Sequence, residues 1–302
     1  MLIGVAGPPL SVTGADPAVI RDFAQAVEAM GFNHYAFSEH VLSSDAEQIP
    51  ELGRRSNIKA TFNETFALMC FLAGVTSRIE LFSCILILPL RPTALAAKQS
   101  AHADILSNGR VRLGVGVSGD PLEYEALGVD HATRGARLVE QIGFLRRFWT
   151  EESVTAQTRF HTFRHVGINP RPGRLIPIWM GGGSVTDPFP SERILRRAAR
   201  LADGFTAISL LPPERASELI DTLRSYVAEA GREASSFGVE GDITLTDKTP
   251  DDWRRETQLW REAGADRLIL RMGPRGGVDR LLATQDQIDN LKTYLKEVGL
   301  EA

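Results

Sequence analysis

Glu39 and His40 stand together behind a short apolar run, Asn33 to Phe37. A histidine so placed can give up or accept a proton near neutral pH, or can anchor the following loop by a hydrogen bond. The residues alone leave both roles open. Gly181-Gly182-Gly183-Ser184 follows a second apolar run. Three glycines let backbone N–H groups turn toward a ligand and Ser184 adds a hydroxyl, which is donor chemistry suited to a phosphate. Gly114-Val115-Gly116-Val117-Ser118-Gly119 has dinucleotide-motif spacing, but its first two glycines lie inside an apolar run. No strand ends in an acidic residue about twenty positions on, so a dinucleotide site is rejected. Glycines inside a strand mark the close approach of a flat ligand or tight interior packing. His161 and His165 lack a helix and a third ligand, so no metal site is expected. Cys84 reads as a small packed hydrophobe. Lys98 and Arg110 are expected in ion pairs, and Arg196, Arg197 and Arg200 on a solvated helix face.

The elements that must hold these groups declare themselves between Arg78 and Gly119. An apolar run from Ile79 to Leu88 ends at Pro89, and a helix opens at Pro92-Thr93 and closes at Asn108-Gly109. A second apolar run then extends from Val111 to Val117. Strands too apolar for a wet face, joined by a crossover helix, are parallel. The pattern recurs. Strands are predicted at Leu2–Ala6, Asn33–Phe37, Ile176–Met180, Gly204–Ile208, Phe237–Leu245 and Arg267–Arg271, each followed by a helical segment. Asp16-Pro17 and Thr249-Pro250 supply helix starts, Thr61 and Glu64 have capping-box spacing, and Gly31, Gly231 and Gly264 supply stops. Residues 41–60 form a long polar loop, a lid or substrate loop, and residues 151–174 read as irregular or hairpin structure.

Eight strand–helix units in 302 residues are the arithmetic of an α/β (β/α)8 TIM barrel, read as one domain over residues 1–302. A doubly wound sheet is the alternative. In a barrel the site lies at the C-terminal ends of the strands, which selects His40, the end of Leu81–Leu88, Val117-Ser118-Gly119, Gly181–Ser184 and the loop after Ile208.

A net charge of −4 argues against nucleic acid or an anionic membrane surface as a partner. Cys70 and Cys84 in apolar contexts indicate a reducing compartment. No signal-like or membrane-spanning run is present, so a cytoplasmic enzyme is expected.

The ordered run Thr76-Ser77-Arg78-Ile79, Leu88-Pro89, Ala97-Lys98, Asp104-Ile105-Leu106-Ser107, Gly109-Arg110 and Leu113-Gly114-Val115-Gly116 resembles the bacterial-luciferase-like superfamily. So do Leu127-Gly128-Val129, Arg134-Gly135, Pro177 to Gly182 and Leu195 to Gly204. The likeness is greatest to the branch described as probable F420-dependent oxidoreductases. It implies a barrel with an insertion after the fourth strand, a flavin or deazaflavin across the C-terminal mouth, and a homodimer. By matched position, Ser83 and Cys84 would lie beside the tricyclic ring, on a strand where relatives often carry a non-prolyl cis peptide. Val117, Ser118 and Gly119, with Gly182, Gly183 and Ser184, would hold the ribityl chain and phosphate, and His40 would face the reactive side. The chain departs from relatives at Ser83, at Ser118-Gly119-Asp120 and over Val185 to Pro190. The implied function is hydride transfer between coenzyme F420 and a small-molecule substrate. The alternatives are an FMN-dependent monooxygenase served by a separate reductase, and a catalytically silent flavin-binding barrel.

Overall fold

The computed structural model describes residues 1–7, 16–45, 48–49, 58, 61–183, 187–207, 211–273 and 284–300. Its strands, in chain order, are Leu2–Ala6 (β1), His34–Phe37 (β2), Glu80–Ile87 (β3), Val111–Gly116 (β4), Val154–Gln157 (β5), Thr162–Val166 (β6), Ile178–Gly182 (β7), Gly204–Ala207 (β8), Gly238–Thr244 (β9) and Arg267–Arg271 (β10). Eight close into a parallel barrel in the order β1-β10-β9-β8-β7-β4-β3-β2, while β5 and β6 pair separately as an antiparallel hairpin. That is the TIM barrel with an insertion expected from sequence. The helices are Pro17–Ala29 (α1), Thr65–Val75 (α2), Thr93–Leu106 (α3), Pro121–Ala126 (α4), Arg134–Thr150 (α5), Glu192–Leu201 (α6), Ala216–Glu229 (α7), Pro250–Glu262 (α8) and Thr284–Glu297 (α9). Among the described residues none is long and apolar enough to cross a membrane.

The helix ends follow local chemistry. Asp16 caps α1 by accepting from the Ala18 N–H at 2.8 Å, and Gly31 turns the chain away at φ +90°. Thr249 and Asp252 form a reciprocal capping box on α8. The expected Thr61 box does not form. Asn63 is held in a β-bridge with Glu39, and Glu64 itself caps α2 by accepting from the Ala67 N–H at 2.7 Å.

Two apolar layers result from strand alternation. Outward residues such as Ile3, Leu81, Leu113, Phe205 and Leu268 join the helices in the main core. Inward residues Ala36, Phe82, Cys84, Trp179 and Ile269 form a smaller cluster in the lumen. Beneath it, the inward residues at the starts of the strands are charged. Arg112 bonds Glu80 at 2.7 Å and Glu240 at 2.9 Å, Arg267 bonds Glu80 at 2.9 Å, and His34 Nε2 stands 2.9 Å from Glu240. The Arg112 guanidinium also lies 3.5 Å from the Phe82 ring centroid and 4.4 Å from that of Trp179. Two arginines face two carboxylates, so the plug is balanced and closes the bottom of the barrel; a buried charge without a partner would be strongly destabilising.

The hairpin is bolted on through His161, whose Nδ1 lies 2.8 Å from Glu140 of α5 and whose Nε2 lies 2.6 Å from Thr93 of α3. Lys98 and Arg110, expected in ion pairs, bond mainly to backbone carbonyls instead, Lys98 to Asn169 and Arg110 to Ala73, Thr76, Ile79 and Ser107. Both lie where helix and loop ends leave carbonyl groups in need of donors.

Candidate active site at the barrel mouth

The chain leaving β2 points Glu39 and His40 at different partners. Glu39 is buried; it accepts from the Ile87 N–H at 2.9 Å and from Arg91 at 2.6 Å, tying the end of β2 to the end of β3. His40, 32% exposed, points Nδ1 at Glu123 Oε2, 3.1 Å away, and its ring rests on Phe62 at 4.6 Å between centroids. The other Glu123 oxygen accepts from the Val41 and Leu42 N–H groups at 2.7 and 3.2 Å. Glu123, not His40, therefore anchors the loop. A carboxylate can only accept, so Nδ1 carries the proton and Nε2 takes no part in this pair.

Glu123 is delivered by α4, which starts immediately after β4. Asp120 caps that helix through the Leu122 N–H at 3.0 Å and accepts the Ser44 hydroxyl at 2.8 Å, so the loop after β2 and the loop after β4 are sewn together.

Inside the rim, β3 slips register against β4 between Ser83 and Leu86, and the Cys84–Ile85 peptide is cis, the bond type implied by the resemblance. Ser83 is fully buried and its hydroxyl is occupied by β4, donating to the Gly114 carbonyl and accepting from the Gly114 N–H, both at 3.0 Å. Cys84 faces the lumen, where Arg271 reaches from β10 to place Nη2 3.5 Å from its sulfur; Arg271 Nε donates to Asp242 at 2.6 Å. Burial pushes the Cys84 thiol pKa up. Burial works against the Arg271 charge, but the Asp242 carboxylate outweighs it and raises its pKa. The inward hydroxyls of Thr206 and Thr244 are buried with no partner among the described residues.

The remaining sequence-selected residues surround the same mouth. Val117 and Ser118 are half-buried beyond β4, Ser118 holds φ +20°, and a side chain at Gly119 would enter open space. Gly181 and Gly182 belong to β7, paired with Thr206 and Ala207. A Cβ on Gly182 would stand 2.9 Å from Ile194 and 3.1 Å from Phe205, so close packing of α6 requires that glycine. Gly183, at φ +107°, makes the turn. Ser184, the loop after Ile208 and most of residues 46–60 lie outside the described residues.

Glu123, Arg271, Asp242, Thr206 and Thr244 escaped the sequence reading. A signal existed for four of them. Strand alternation puts Thr206, Asp242, Thr244 and Arg271 on the lumen side of their strands.

A closed parallel barrel with a histidine–carboxylate pair on its C-terminal rim is the frame of a TIM-barrel enzyme. Residues 1–287 match the luciferase-like monooxygenase family, and the chain belongs to it. The fold, the mouth and this membership make it a luciferase-like oxidoreductase. An uncharacterised protein of Mycobacterium tuberculosis is 32% identical over 243 residues, 76% of this chain and 81% of that one. An F420-dependent glucose-6-phosphate dehydrogenase of Kineococcus radiotolerans is 25% identical over 250 residues, 81% of this chain and 68% of that one. Among solved structures, an F420-dependent secondary alcohol dehydrogenase superposes with TM-score 0.74 at 17% identity over 98% of both chains. A riboflavin lyase with modified FMN superposes with TM-score 0.75 at 13% identity over 100% of this chain and 92% of that one.

Proposed function

We propose that the protein is an F420-dependent oxidoreductase that transfers a hydride to or from a small organic substrate at the barrel mouth. The observation that carries the reading is the His40–Glu123 pair, which engages only one imidazole nitrogen at the rim above the apolar cluster of the lumen. The names of the F420-dependent relatives favour the deazaflavin. The residues fit such a group. Phe82, Cys84 and Trp179 offer an apolar floor, the unpartnered Thr206 and Thr244 hydroxyls suit a polar ring edge, and the open side of Gly119 and the turn at Gly183 leave room for a ribityl phosphate. Ser83 and Ser184 complete the proposed contacts, Ser83 through the backbone since its hydroxyl is occupied.

F420, when bound, supplies a two-electron hydride acceptor or donor. Oxidation of an alcohol-type substrate then releases one proton from oxygen, and His40 Nε2 takes it. Glu123 steadies the resulting imidazolium through Nδ1, and the Glu123-anchored loop keeps that nitrogen at the rim. In the reverse direction His40 returns the proton. The lumen contributes orientation and exclusion of water. Residues 1–302 would form one cytoplasmic domain that acts as a homodimer. The outer face of α2, with Ala67 and Gly74 exposed and Cys70 and Phe71 half-buried, suits the latter.

The FMN-dependent monooxygenase reading is favoured by the family to which the chain belongs and by its likeness to the riboflavin lyase. Titration with F420 and FMN, each oxidised and reduced, together with oxygen uptake, separates the two. Tight F420 binding with anaerobic turnover is expected. FMN binding with oxygen consumption would sink the proposal, and binding of neither would indicate a silent barrel.

A further inference from the structure

Most arginines of this chain have a carboxylate or a backbone carbonyl to satisfy them. Five on α5 and α6 have no carboxylate among the described residues: Arg134 and Arg137 on α5, and Arg193, Arg197 and Arg200 on α6. Arg134 bonds only to His131, and Arg137 leaves its buried Nε without a partner. Arg193, Arg197 and Arg200 follow at i, i+4 and i+7, and so share one face of their helix. That face is turned to α5, because a Cβ on Gly135 would meet the Arg197 guanidinium at 2.9 Å. The adjacent face differs. Arg196, read from sequence as a residue of the same kind, is neutralised by Glu192 at 2.6 Å and Glu229 at 2.5 Å.

Helices in a parallel barrel start at the mouth. The strip therefore begins beside the loops that follow β4 and β7, next to Gly119 and Gly183, and descends the outer wall for about two turns. Two further buried donors stand at its head without partners, the Tyr124 hydroxyl and His131 Nε2. Burial and the fields of Arg193, Arg200 and Arg134 together push the Arg197 pKa down, the mark of a cation among cations. In a protein of net charge −4, such unneutralised like charge calls for an anion. One phosphate is too short. Arg193 to Arg200 spans about 10 Å of helix, so the matching anion carries charges at intervals.

We propose that this strip binds the carboxylate-bearing tail of a deazaflavin cofactor as it leaves the barrel mouth, an inference that rests on the F420 reading above. An FMN, which ends at its phosphate, would leave the lower arginines unused.

The test compares F420 carrying its oligoglutamate tail with the same deazaflavin ending at the 5′-phosphate, titrated against the full chain at low and high salt. The tailed form should bind more tightly, and its advantage should shrink as salt rises. Combined Arg193→Gln, Arg197→Gln and Arg200→Gln should lower affinity for the tailed form about tenfold and leave the phosphate form unchanged, as three exposed ion pairs allow. Arg196→Gln should change neither. Because the triple variant relieves repulsion, its melting temperature should not fall. Equal binding of both forms, or a triple variant that binds the tailed form normally, overturns the proposal while the F420 reading stands. Binding of neither form overturns both.

Discussion

His40 Nδ1 and Glu123 Oε2 stand 3.1 Å apart although 83 positions separate them in the chain. The same carboxylate holds the Val41 and Leu42 N–H groups, so the His40 ring and the loop beside it share one anchor. His40→Ala should lower kcat by about 10²- to 10⁴-fold, the usual worth of a general acid or base, with little change in cofactor affinity. Glu123→Gln should lower kcat by about tenfold, displace the pH–rate profile and raise KM as the loop loosens. Steady-state kinetics and cofactor titration on both variants check this. An unchanged rate in His40→Ala would leave the histidine no chemical role.

Thr206 and Thr244 offer buried hydroxyls to the lumen. Replacement by valine removes each without changing shape, so the unliganded protein should be as stable as before or slightly more so. Cofactor affinity should fall by about 3- to 10-fold per hydroxyl, one lost hydrogen bond each. Calorimetric titration together with melting of the free protein measures both effects. Unaltered affinity in both variants would place the ring edge elsewhere.

Gly114 and Gly116 are two residues apart yet should respond differently to alanine. At Gly114 the new Cβ would meet the Ser83 carbonyl oxygen at 2.2 Å, a backbone clash that must part β3 from β4. Overpacking of that kind costs about 1–3 kcal/mol, readable in urea melts. At Gly116 the Cβ would meet only the tip of Ile85, at 1.9 Å, and a flexible side chain can move. Gly116→Ala should therefore keep most of its stability while changing cofactor affinity.

The plug beneath the lumen makes stability depend on pH. Burial raises the pKa values of Glu80 and Glu240, but Arg112 outweighs it, helped by Arg267 at Glu80 and by His34 at Glu240, and both end below the ordinary 4.5. Carboxylates depressed by folding stabilise above that value and lose the contribution as pH falls through it. Burial pushes His34 below its ordinary 6.5, against the pull of Glu240. Below 6.5 the unfolded chain takes up a proton that the folded protein refuses, so stability already declines there. Urea midpoints should hold above about pH 7, fall gently below 6.5, and fall steeply below 4.5. His34→Gln should shrink the upper step to the part that His131 contributes, whose pKa burial and Arg134 also push down, and leave the steep step in place. A midpoint that stays level from pH 7.5 to 5 in the parent protein would contradict this account.

Much of the frame was legible because it is local. Arg267–Arg271 emerges as a strand with the bounds read from its apolar centre and flanking turn, and Asp16, Gly31 and Asn108-Gly109 punctuate the helices as their backbone preferences dictate. Eight such units, all right for crossover connections, leave a parallel barrel as the economical closure. Where the local signal competed with a distant one it failed, as at Thr61, because the bridge between Glu39 and Asn63 moved the cap to Glu64.

The site was only half legible. The sequence alone determined that His40, Cys84, the residues after β4 and the glycines of β7 end neighbouring strands, and hence that they share a mouth. Tertiary structure decided which side chains meet there. Arg271 reaches Cys84 across 187 positions, and Glu123 meets His40 from a short helix 83 positions further along the chain. Likewise, Arg196 and Arg197 are adjacent and alike in sequence, yet one is neutralised and the other is not. Periodicity reports which face a residue occupies, whereas barrel closure decides what stands opposite that face, and it is the opposing group that gives a titratable side chain its chemistry.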